Sequence, residues 1–203
     1  MTLEVKISRK LVPYKTAFLL LKKRVELVKK TNNNELVWIL EHPLTFTSGI
    51  RSKENEILDK KIKIIKTNRG GRITLHSPGQ KIVYFAINLN KRKKDIKNLV
   101  KQIELTIIDF LKLYKIKSKS NEKNIGIWVE DRKIAAIGIR VSNWVAYHGF
   151  SININNNLNY YKKIIPCGLD NKKITSAKIE SNIQVSNKEN KLKNIFLKHL
   201  KNV

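Results

Sequence analysis

The sequence predicts an α+β (or α/β) fold, with a mixed, largely antiparallel sheet that is flanked by helices. Apolar residues recur at helical spacing in three segments, whereas the short apolar runs typical of strands are more numerous and tend to come in pairs. No internal repeat and no linker rich in Pro, Gly or Ser divides the 203 residues. We therefore expect a single domain over residues 1–203.

Three segments are predicted to be helices. Residues 14–30 carry apolar side chains at helical spacing and follow Pro13, which suits the first turn of a helix. The same spacing from Ile96 to Tyr114 predicts a second long helix. A last, very basic helix is expected from about Asn190 to Leu200.

The other apolar runs are predicted to be strands. Alternating apolar residues from Val83 to Leu89 have the period of a half-buried strand. Residues 125–129 and 133–141 fit two strands around a tight turn at Glu130-Asp131-Arg132. The remaining strand candidates are Leu3 to Ile7, Leu36 to Leu40, Lys63 to Thr67 and Gly149 to Ile154.

The composition limits the classes of protein to consider. A chain of this length buries roughly 70% of its unfolded surface without disulfide staples, and its single cysteine rules out an internal disulfide framework. No apolar run approaches the ~20 residues that span a bilayer. The N-terminus lacks the basic and apolar regions of a secretory signal. We therefore expect a cytoplasmic protein that does not associate with a membrane.

The net charge of +26 comes from 42 Lys plus Arg against 16 Asp plus Glu. Such a charge fits an acidic partner, whether nucleic acid, a membrane surface or an acidic protein. The joint abundance of Lys, Asn and Ile also fits AT-rich coding, which produces a basic chain without selecting a partner. Because the sequence contains no zinc finger and no aromatic ribonucleoprotein segment, a nucleic-acid-binding module is the weaker interpretation.

Two segments combine glycine with polar side chains. Between Arg69 and Gln80, paired glycines allow close approach of the backbone to a ligand, and Ser-Pro-Gly after His76 predicts that this ring lies on a loop. A structural hairpin with a hydrogen-bonded histidine is the alternative. In the second segment, Lys133 opens an apolar strand whose small residues leave room for a ligand or for a packed helix.

A third segment contains His148 and, further on, Cys167. The cysteine lies between Pro166 and Gly168, so we expect a turn that presents its sulfur, whereas a structural cysteine usually lies in an apolar run. On the residues alone, a solvated Lys133 and a core or supporting role for His148 are the simpler interpretations.

Taken together, these segments resemble the octanoyltransferase family of lipoate biosynthesis, in the biotin/lipoate protein ligase superfamily. The matching motifs span about residues 36–176 and occur in the family's order and spacing. They are Glu41-His42-Pro43 with Thr47 to Arg51, Arg69-Gly70-Gly71 through Gln80, Gly126 to Val129, Lys133 through Arg140, His148-Gly149 with Asn153, and Pro166 to Leu169 with Thr175-Ser176.

The resemblance implies a biotin/lipoate protein ligase-like catalytic domain that transfers octanoyl from octanoyl-acyl carrier protein to a lysine of lipoyl domains. The implied acceptors belong to 2-oxoacid dehydrogenases and to the glycine cleavage H protein, and no cofactor or metal is implied. The resemblance places the nucleophile at Cys167 and its partner at Lys133. The implied substrate contacts are Arg69, Gly70, Gly71, Arg72, Ile73, Thr74, Leu75, His76, Ala136, Ile137, Gly138, Gly149, Phe150 and Ser151.

The implied reaction needs a thiolate and a proton acceptor. A free thiol with a pKa of ~8.5 is mostly protonated at neutral pH, so an ammonium at Lys133 is expected to stabilise the thiolate. In the second transfer, Lys133 is expected to take a proton from the incoming lysine. The candidate oxyanion donors are backbone amides near Gly168 or Gly79 and the ring of His76.

Two positions depart from the family pattern. Ser77 stands where the family usually has glycine, and Asn88 stands where it usually has an acidic residue. Since Ser77 adds a side chain beside the expected pocket, a catalytically dead scaffold is one alternative. Two others share the fold: a lipoate–protein ligase, which activates a free acid with ATP and needs no cysteine, and an amidotransferase that moves octanoyl between lipoyl domains.

Overall fold

The computed structural model describes residues 2–121, 124–166, 174–186 and 188–203. The α-helices are α1 (Tyr14–Thr31), α2 (Ile96–Lys112), α3 (Ala177–Glu180) and α4 (Glu189–Leu200). The strands are β1 (Leu3–Ile7), β2 (Glu35–Leu40), β3 (Thr45–Ser48), β4 (Ile64–Lys66), β5 (Thr74–His76), β6 (Gln80–Asn88), β7 (Lys119–Ser120), β8 (Ile127–Val129), β9 (Arg132–Ser142) and β10 (Val145–Asn153).

Two sheets organise these strands. The main sheet has seven strands in the order β1-β2-β6-β10-β9-β8-β7, in which β1 and β2 pair parallel and the other neighbours pair antiparallel. A smaller sheet has the order β4-β3-β5 and pairs β3 parallel to β4 and antiparallel to β5. The predicted mixed, largely antiparallel sheet with flanking helices is confirmed.

Helices cover both faces of the main sheet. On one face, α1 packs Ala17 and Leu21 against Trp38 of β2 and Tyr84 of β6. On the other face, α2 and α4 cover a larger core, and Phe196 of α4 lies 5.8 Å from the ring of Phe85.

All nine residues of β6 are buried, so the prediction of a half-buried strand is wrong. Both faces of β6 are buried because helices pack on both sides of the main sheet. The alternation of apolar residues within one strand does not show that its second face is also covered.

The basic C-terminal helix α4 belongs to the core. Leu192, Phe196 and Leu200 are buried in the same cluster as residues of α2, and Nε2 of His199 lies 2.9 Å from Oδ2 of Asp109 on α2. Its basic character therefore belongs to the remaining, outward positions of an amphipathic helix. Among the residues that the structure describes, no helix is both long enough and apolar enough to cross a bilayer.

Strands β9 and β10 form the hairpin that carries much of the site. Their register runs from Val145 opposite Ser142 to Ile152 opposite Ala135. The small sheet lies beside this hairpin, and the residues before β5 pass over β9. This arrangement brings β5, β6, β9, β10 and the start of α1 together around one cavity.

Candidate active site

A cavity of about 360 Å³ opens where β5 faces the middle of the main sheet. Within the described part of the chain, no carboxylate lines this cavity, whereas four cationic side chains do: Arg51, Arg69, Arg72 and Lys133. Apolar side chains of Ile82, Ile137 and Phe150 line it as well. The space therefore combines an apolar lining with positive charge.

The predicted substrate-contact residues line this cavity, with the exception of Ile73 and Leu75. Those two are buried on the opposite side of β5, in a small core with Phe46 and Ile164. The reason is the alternation of a strand, which turns Thr74 and His76 toward the cavity and their neighbours away from it.

The loop from Arg69 to Arg72 is held tightly against its surroundings. Arg69 donates from Nη2 to the carbonyl of Thr47 over 3.0 Å, and Arg72 donates from Nη1 to the buried carboxylate of Glu56 over 2.8 Å. A methyl group at Gly70 would lie 2.7 Å from the carbonyl oxygen of Ile139. Glycine is therefore required where this loop crosses β9.

Lys133 is buried at the start of β9, with 5% of its surface exposed. Its Nζ donates to the carbonyl of Ile125 over 2.9 Å and lies 5.4 Å from the ring centre of Trp128. A carbonyl dipole and an aromatic face both stabilise a cation. Lys133 therefore does not occupy the solvated position at a sheet edge that is usual for a lysine.

Gly126 makes room for the Lys133 side chain. A methyl group at this position would lie 2.5 Å from Cε and 3.0 Å from Nζ of Lys133, and the φ of Gly126 is 139°. Any larger residue would push the ammonium away from the Ile125 carbonyl. Glycine at this position therefore makes room both for the Lys133 side chain and for the Ala135 carbonyl, which a methyl group would approach to 2.6 Å.

Cys167 and Gly168 lie outside the described residues, so the predicted nucleophile has no geometry here. The residues on either side of residues 167–173 both lie beside Lys133. Pro166 and Lys133 line one small void. Ile174 pairs in parallel with Lys133, and the amide of Thr175 donates to the Lys133 carbonyl over 3.0 Å.

His76 lies on strand β5 with 6% of its surface exposed, so the prediction that its ring sits on a loop is wrong. The turn signal was real but belongs to the next residues, which connect β5 to β6. Its Nδ1 lies 2.8 Å from Oε1 of Gln80. Burial, together with the charges of His42 and Arg69, lowers the pKa of His76 from 6.5 to about 3.

His148 lies in the cavity wall because its backbone is unusual. Its φ is 70°, within the left-handed region, in the middle of β10. Neighbouring side chains of a strand normally point to opposite faces, but the rings of Tyr147 and His148 stack 4.9 Å apart and both bond Asn68. Burial, with the charges of Arg69 and Arg140, lowers the pKa of His148 to about 3.

A third histidine, His42, lies behind the cavity. Its Nδ1 faces the Val12 carbonyl at 2.5 Å and its Nε2 faces the Tyr84 hydroxyl at 2.9 Å. Burial lowers its pKa to about 4, although the bond to Val12 opposes this shift. Among the described residues, no group of three His, Cys, Asp or Glu side chains is arranged to hold a metal ion.

Two of the predicted oxyanion donors are not available. The amide of Gly79 donates to Oε2 of Glu41 over 2.7 Å, so its hydrogen is already used. The neutral ring of His76 carries one N–H hydrogen. That hydrogen lies on Nδ1, which donates it to the amide oxygen of Gln80. Gly168, the remaining candidate, lies outside the described residues.

The two departures from the family pattern are both buried. Ser77 is 1% exposed, and its hydroxyl has no hydrogen-bond partner among the residues that the structure describes. Asn88 is fully buried and well bonded: its amide donates to Glu35 over 2.7 Å, and its side chain accepts from the amide of Asn90 over 2.9 Å. Ser77 is therefore the departure with an energetic cost.

Several further residues line the cavity that sequence analysis did not name as substrate contacts: Tyr14, Arg51, Ile82, Tyr84, Asn124 and Ile125. Tyr14 was visible as part of an apolar helix face, and Ile82 and Tyr84 lie in or beside a predicted strand. The alternation of that strand places Ile82 and Tyr84 on one face. Which face borders a cavity depends on its pairing with β10.

Comparison with known proteins gives consistent matches. Residues 13–201 match the family described as Lipoyl protein ligase A/B catalytic domain, a range that includes the basic helix α4. The octanoyltransferase of Wolbachia sp. subsp. Brugia malayi is 41% identical over 177 residues, which cover 85% of this chain and 86% of that protein. The octanoyltransferase of Bartonella henselae is 38% identical over 187 residues, covering 85% of this chain and 76% of that protein.

Solved structures share the fold at low sequence identity. A putative lipoate protein ligase from T. acidophilum with bound lipoic acid has a TM-score of 0.71 and 11% identity, covering 98% of this chain and 84% of that one. Lipoate-protein ligase A bound with ATP has a TM-score of 0.72 and 10% identity, with 98% and 85% covered.

Proposed function

The chain belongs to the Lipoyl protein ligase A/B catalytic domain family and is an acyltransferase of octanoyl groups in lipoylation, and we propose that it works through a thioester on Cys167. We propose one catalytic domain, residues 1–203. The mechanism is supported by one observation: Pro166 and Ile174, the residues on either side of residues 167–173, both lie beside Lys133. The segment that contains Cys167 therefore begins and ends beside a buried lysine at the cavity.

In the first step, the Cys167 thiolate attacks the carbonyl carbon of the octanoyl thioester of acyl carrier protein. The new C–S bond forms as the carrier's C–S bond breaks, and the carrier leaves as a thiolate, which then takes a proton from water. Exchange of one thioester for another is nearly balanced in energy, so orientation and a ready thiolate suffice. The Lys133 ammonium supplies a positive charge beside that thiolate.

In the second step, the neutral amine of a lipoyl-domain lysine attacks the acyl-enzyme. The N–C bond forms, the C–S bond to Cys167 breaks, and Lys133 conveys the surplus proton of the amine toward the departing sulfur. Because an amide is more stable than a thioester, this transfer is effectively one-way. No nucleotide is required, since the acyl group arrives already activated.

The cavity suits the octanoyl chain. Ile82, Ile137 and Phe150 provide apolar lining beside the glycines of the loop before β5. Burial of about six methylenes would contribute roughly 5 kcal/mol, at ~0.8 kcal/mol each. Since one methylene changes binding by only ~1–3 kcal/mol, we expect hexanoyl and decanoyl donors to react more slowly without being excluded.

Lipoyl domains are the acceptors, and we propose those of 2-oxoacid dehydrogenases together with the glycine cleavage H protein. The charge of +26 favours encounter with an acidic carrier protein. We propose the cytoplasm as the location, because a reducing compartment keeps a lone thiol free.

The test is intact mass of the protein after incubation with octanoyl-acyl carrier protein, beside Cys167→Ala. We expect one octanoyl adduct, removable by hydroxylamine, in the parent protein and none in the variant. A lipoyl domain should then discharge the adduct. If the folded parent protein gains no adduct, the thioester mechanism is wrong.

The ligase alternative has a separate outcome in the same assay. A lipoate–protein ligase would modify the lipoyl domain from free octanoate and ATP, and Cys167→Ala would retain that activity. An amidotransferase would accept octanoyl-lipoyl domain as its donor. The octanoyltransferase relatives at about 40% identity support octanoyl transfer over ATP-dependent ligation, and the donor assay separates the carrier protein from a lipoyl domain as donor.

A further inference from the structure

A buried hydrogen-bond network runs from strand β10 to His76. Asn153 donates from Nδ2 to the carbonyl of Thr175 over 3.0 Å, and Gln80 donates from Nε2 to Oδ1 of Asn153 over 2.9 Å. Oε1 of Gln80 then faces Nδ1 of His76 at 2.8 Å. Tyr161 joins the network through its hydroxyl, which accepts from Gln80 over 3.1 Å.

The direction of every bond in this network follows from its first member. A backbone carbonyl can only accept, so Asn153 must point its NH₂ group at Thr175 and its oxygen at Gln80. Gln80 must therefore present its own NH₂ group to Asn153 and its oxygen to His76. An oxygen acceptor at Nδ1 means that this nitrogen carries the hydrogen of the neutral ring.

The other ring nitrogen of His76 is then a hydrogen-bond acceptor. The ring lines the cavity, and no described residue bonds its Nε2. With a pKa lowered to about 3, the ring stays neutral at physiological pH. His76 therefore offers a fixed acceptor to whatever occupies the cavity.

We propose that Gln80 and Asn153 are positioning residues that hold His76 as its Nδ1–H tautomer, so that Nε2 accepts a hydrogen bond from the amine of the incoming lysine. The inference rests on the proposed function. In this arrangement His76 accepts a hydrogen bond from one N–H of the substrate amine and leaves the lone pair of the amine free to attack the acyl-enzyme. His76 gains no proton: the N–C bond forms, the C–S bond breaks, and the proton of the amine follows the route through Lys133.

Chemistry distinguishes the amine from the other groups that enter the cavity. The octanoyl thioester carries no hydrogen-bond donor on its acyl portion, whereas the amine carries two N–H bonds while neutral. A ring with so low a pKa is a poor base for the Cys167 thiol, which would have to surrender its proton completely. Orientation of an already neutral amine needs only an acceptor.

The tautomer can be observed directly. Long-range proton–nitrogen NMR of the protein labelled at histidine distinguishes a protonated from an unprotonated ring nitrogen, and His76→Asn identifies the signal. We expect His76 with a protonated Nδ1 and an unprotonated Nε2 in the parent protein. A protonated Nε2 would overturn the proposal, whether or not any variant folds.

The kinetic test separates the two half-reactions with Gln80→Leu, which keeps the volume and removes the acceptor for Nδ1. We expect acyl-enzyme formation within about threefold of the parent protein and discharge to the lipoyl domain slowed about tenfold or more, the effect of losing one hydrogen bond in the transition state. Thr106→Val is the control, because it removes a buried hydrogen bond to the Gln102 carbonyl on helix α2, and Thr106 does not line the cavity.

Each result bears on the proposal. Equal slowing of both half-reactions in Gln80→Leu, or the same selective slowing in Thr106→Val, would overturn the assignment to the amine. Formation and discharge at parental rates would overturn it as well. Failure of the parent protein to form an acyl-enzyme would instead overturn the proposed function, and this inference with it.

Discussion

The hydroxyl of Ser77 is buried without a partner among the described residues. Removing a buried, unpaired hydroxyl also removes its desolvation cost, so Ser77→Ala should raise the free energy of unfolding by about 1 kcal/mol. Urea denaturation measures the change. Thr106→Val is the matched control, because the Thr106 hydroxyl donates to the Gln102 carbonyl over 2.7 Å and its loss should destabilise. Destabilisation by Ser77→Ala would show that the hydroxyl is bonded.

Gly126 determines where the Lys133 ammonium lies. Gly126→Ala should slow acyl-enzyme formation on Cys167 by about tenfold or more, because a displacement of about 1 Å at a catalytic group costs that much or more. Single-turnover mass spectrometry measures the rate. In a Lys133→Ala background the loss should shrink to the part that comes from the 2.6 Å approach of the new methyl group to the Ala135 carbonyl and from the φ of 139°. Additive losses would mean that Gly126 acts independently of the lysine.

At the scale of elements, the β9–β10 hairpin ends in a turn whose second residue is unusual. Asn143 and Trp144 have φ values of 50° and 59°, the conformation of a two-residue turn that favours Asn-Gly. Trp144→Gly should therefore be more stable than Trp144→Ala by about 1 kcal/mol, because both lose the ring and only alanine retains the strain. Thermal unfolding of the two variants decides; equal stability would mean that the turn carries no strain.

In the molecule as a whole, three buried histidines with lowered pKa values make stability depend on pH. The pKa values of His42, His76 and His148 are about 4, 3 and 3, against 6.5 when unfolded. The unfolded chain thus binds more protons below pH 6.5, so stability is retained above that pH and falls as the pH drops toward 4. At pH 5 each histidine costs about 2 kcal/mol.

Urea denaturation at pH 7.5, 6.5 and 5 checks this dependence. Asp59 and Asp109 have lowered pKa values and titrate below this window, since the ordinary value is 3.8. His42→Leu should make the decline between pH 6.5 and 5 shallower. A constant free energy of unfolding from pH 7.5 to 5 would mean that the rings accept protons without leaving the core.

Local patterns predicted most elements because their signals lie within a few residues. Helix α1, the strands β1 and β2 and helix α4 begin and end within about two residues of their predicted bounds, which is the usual uncertainty of helix and strand ends. Strand β5 was not predicted, since it has three residues and pairs with β3, which lies far away in sequence. A strand of three residues is stabilised by hydrogen bonds to its partner strand, so no local pattern predicts it.

The class of fold, the family and the chemical groups that the reaction needs all follow from the amino-acid sequence, because motif order and side-chain chemistry are properties of the chain. Which of these groups share a cavity, and in what protonation state, depends on the tertiary structure. The burial of Lys133 beside Ile125, the turning of His148 into the cavity wall and the proton position on His76 each depend on residues distant in sequence. Such contacts set pKa values and hydrogen-bond directions, and no local pattern records them.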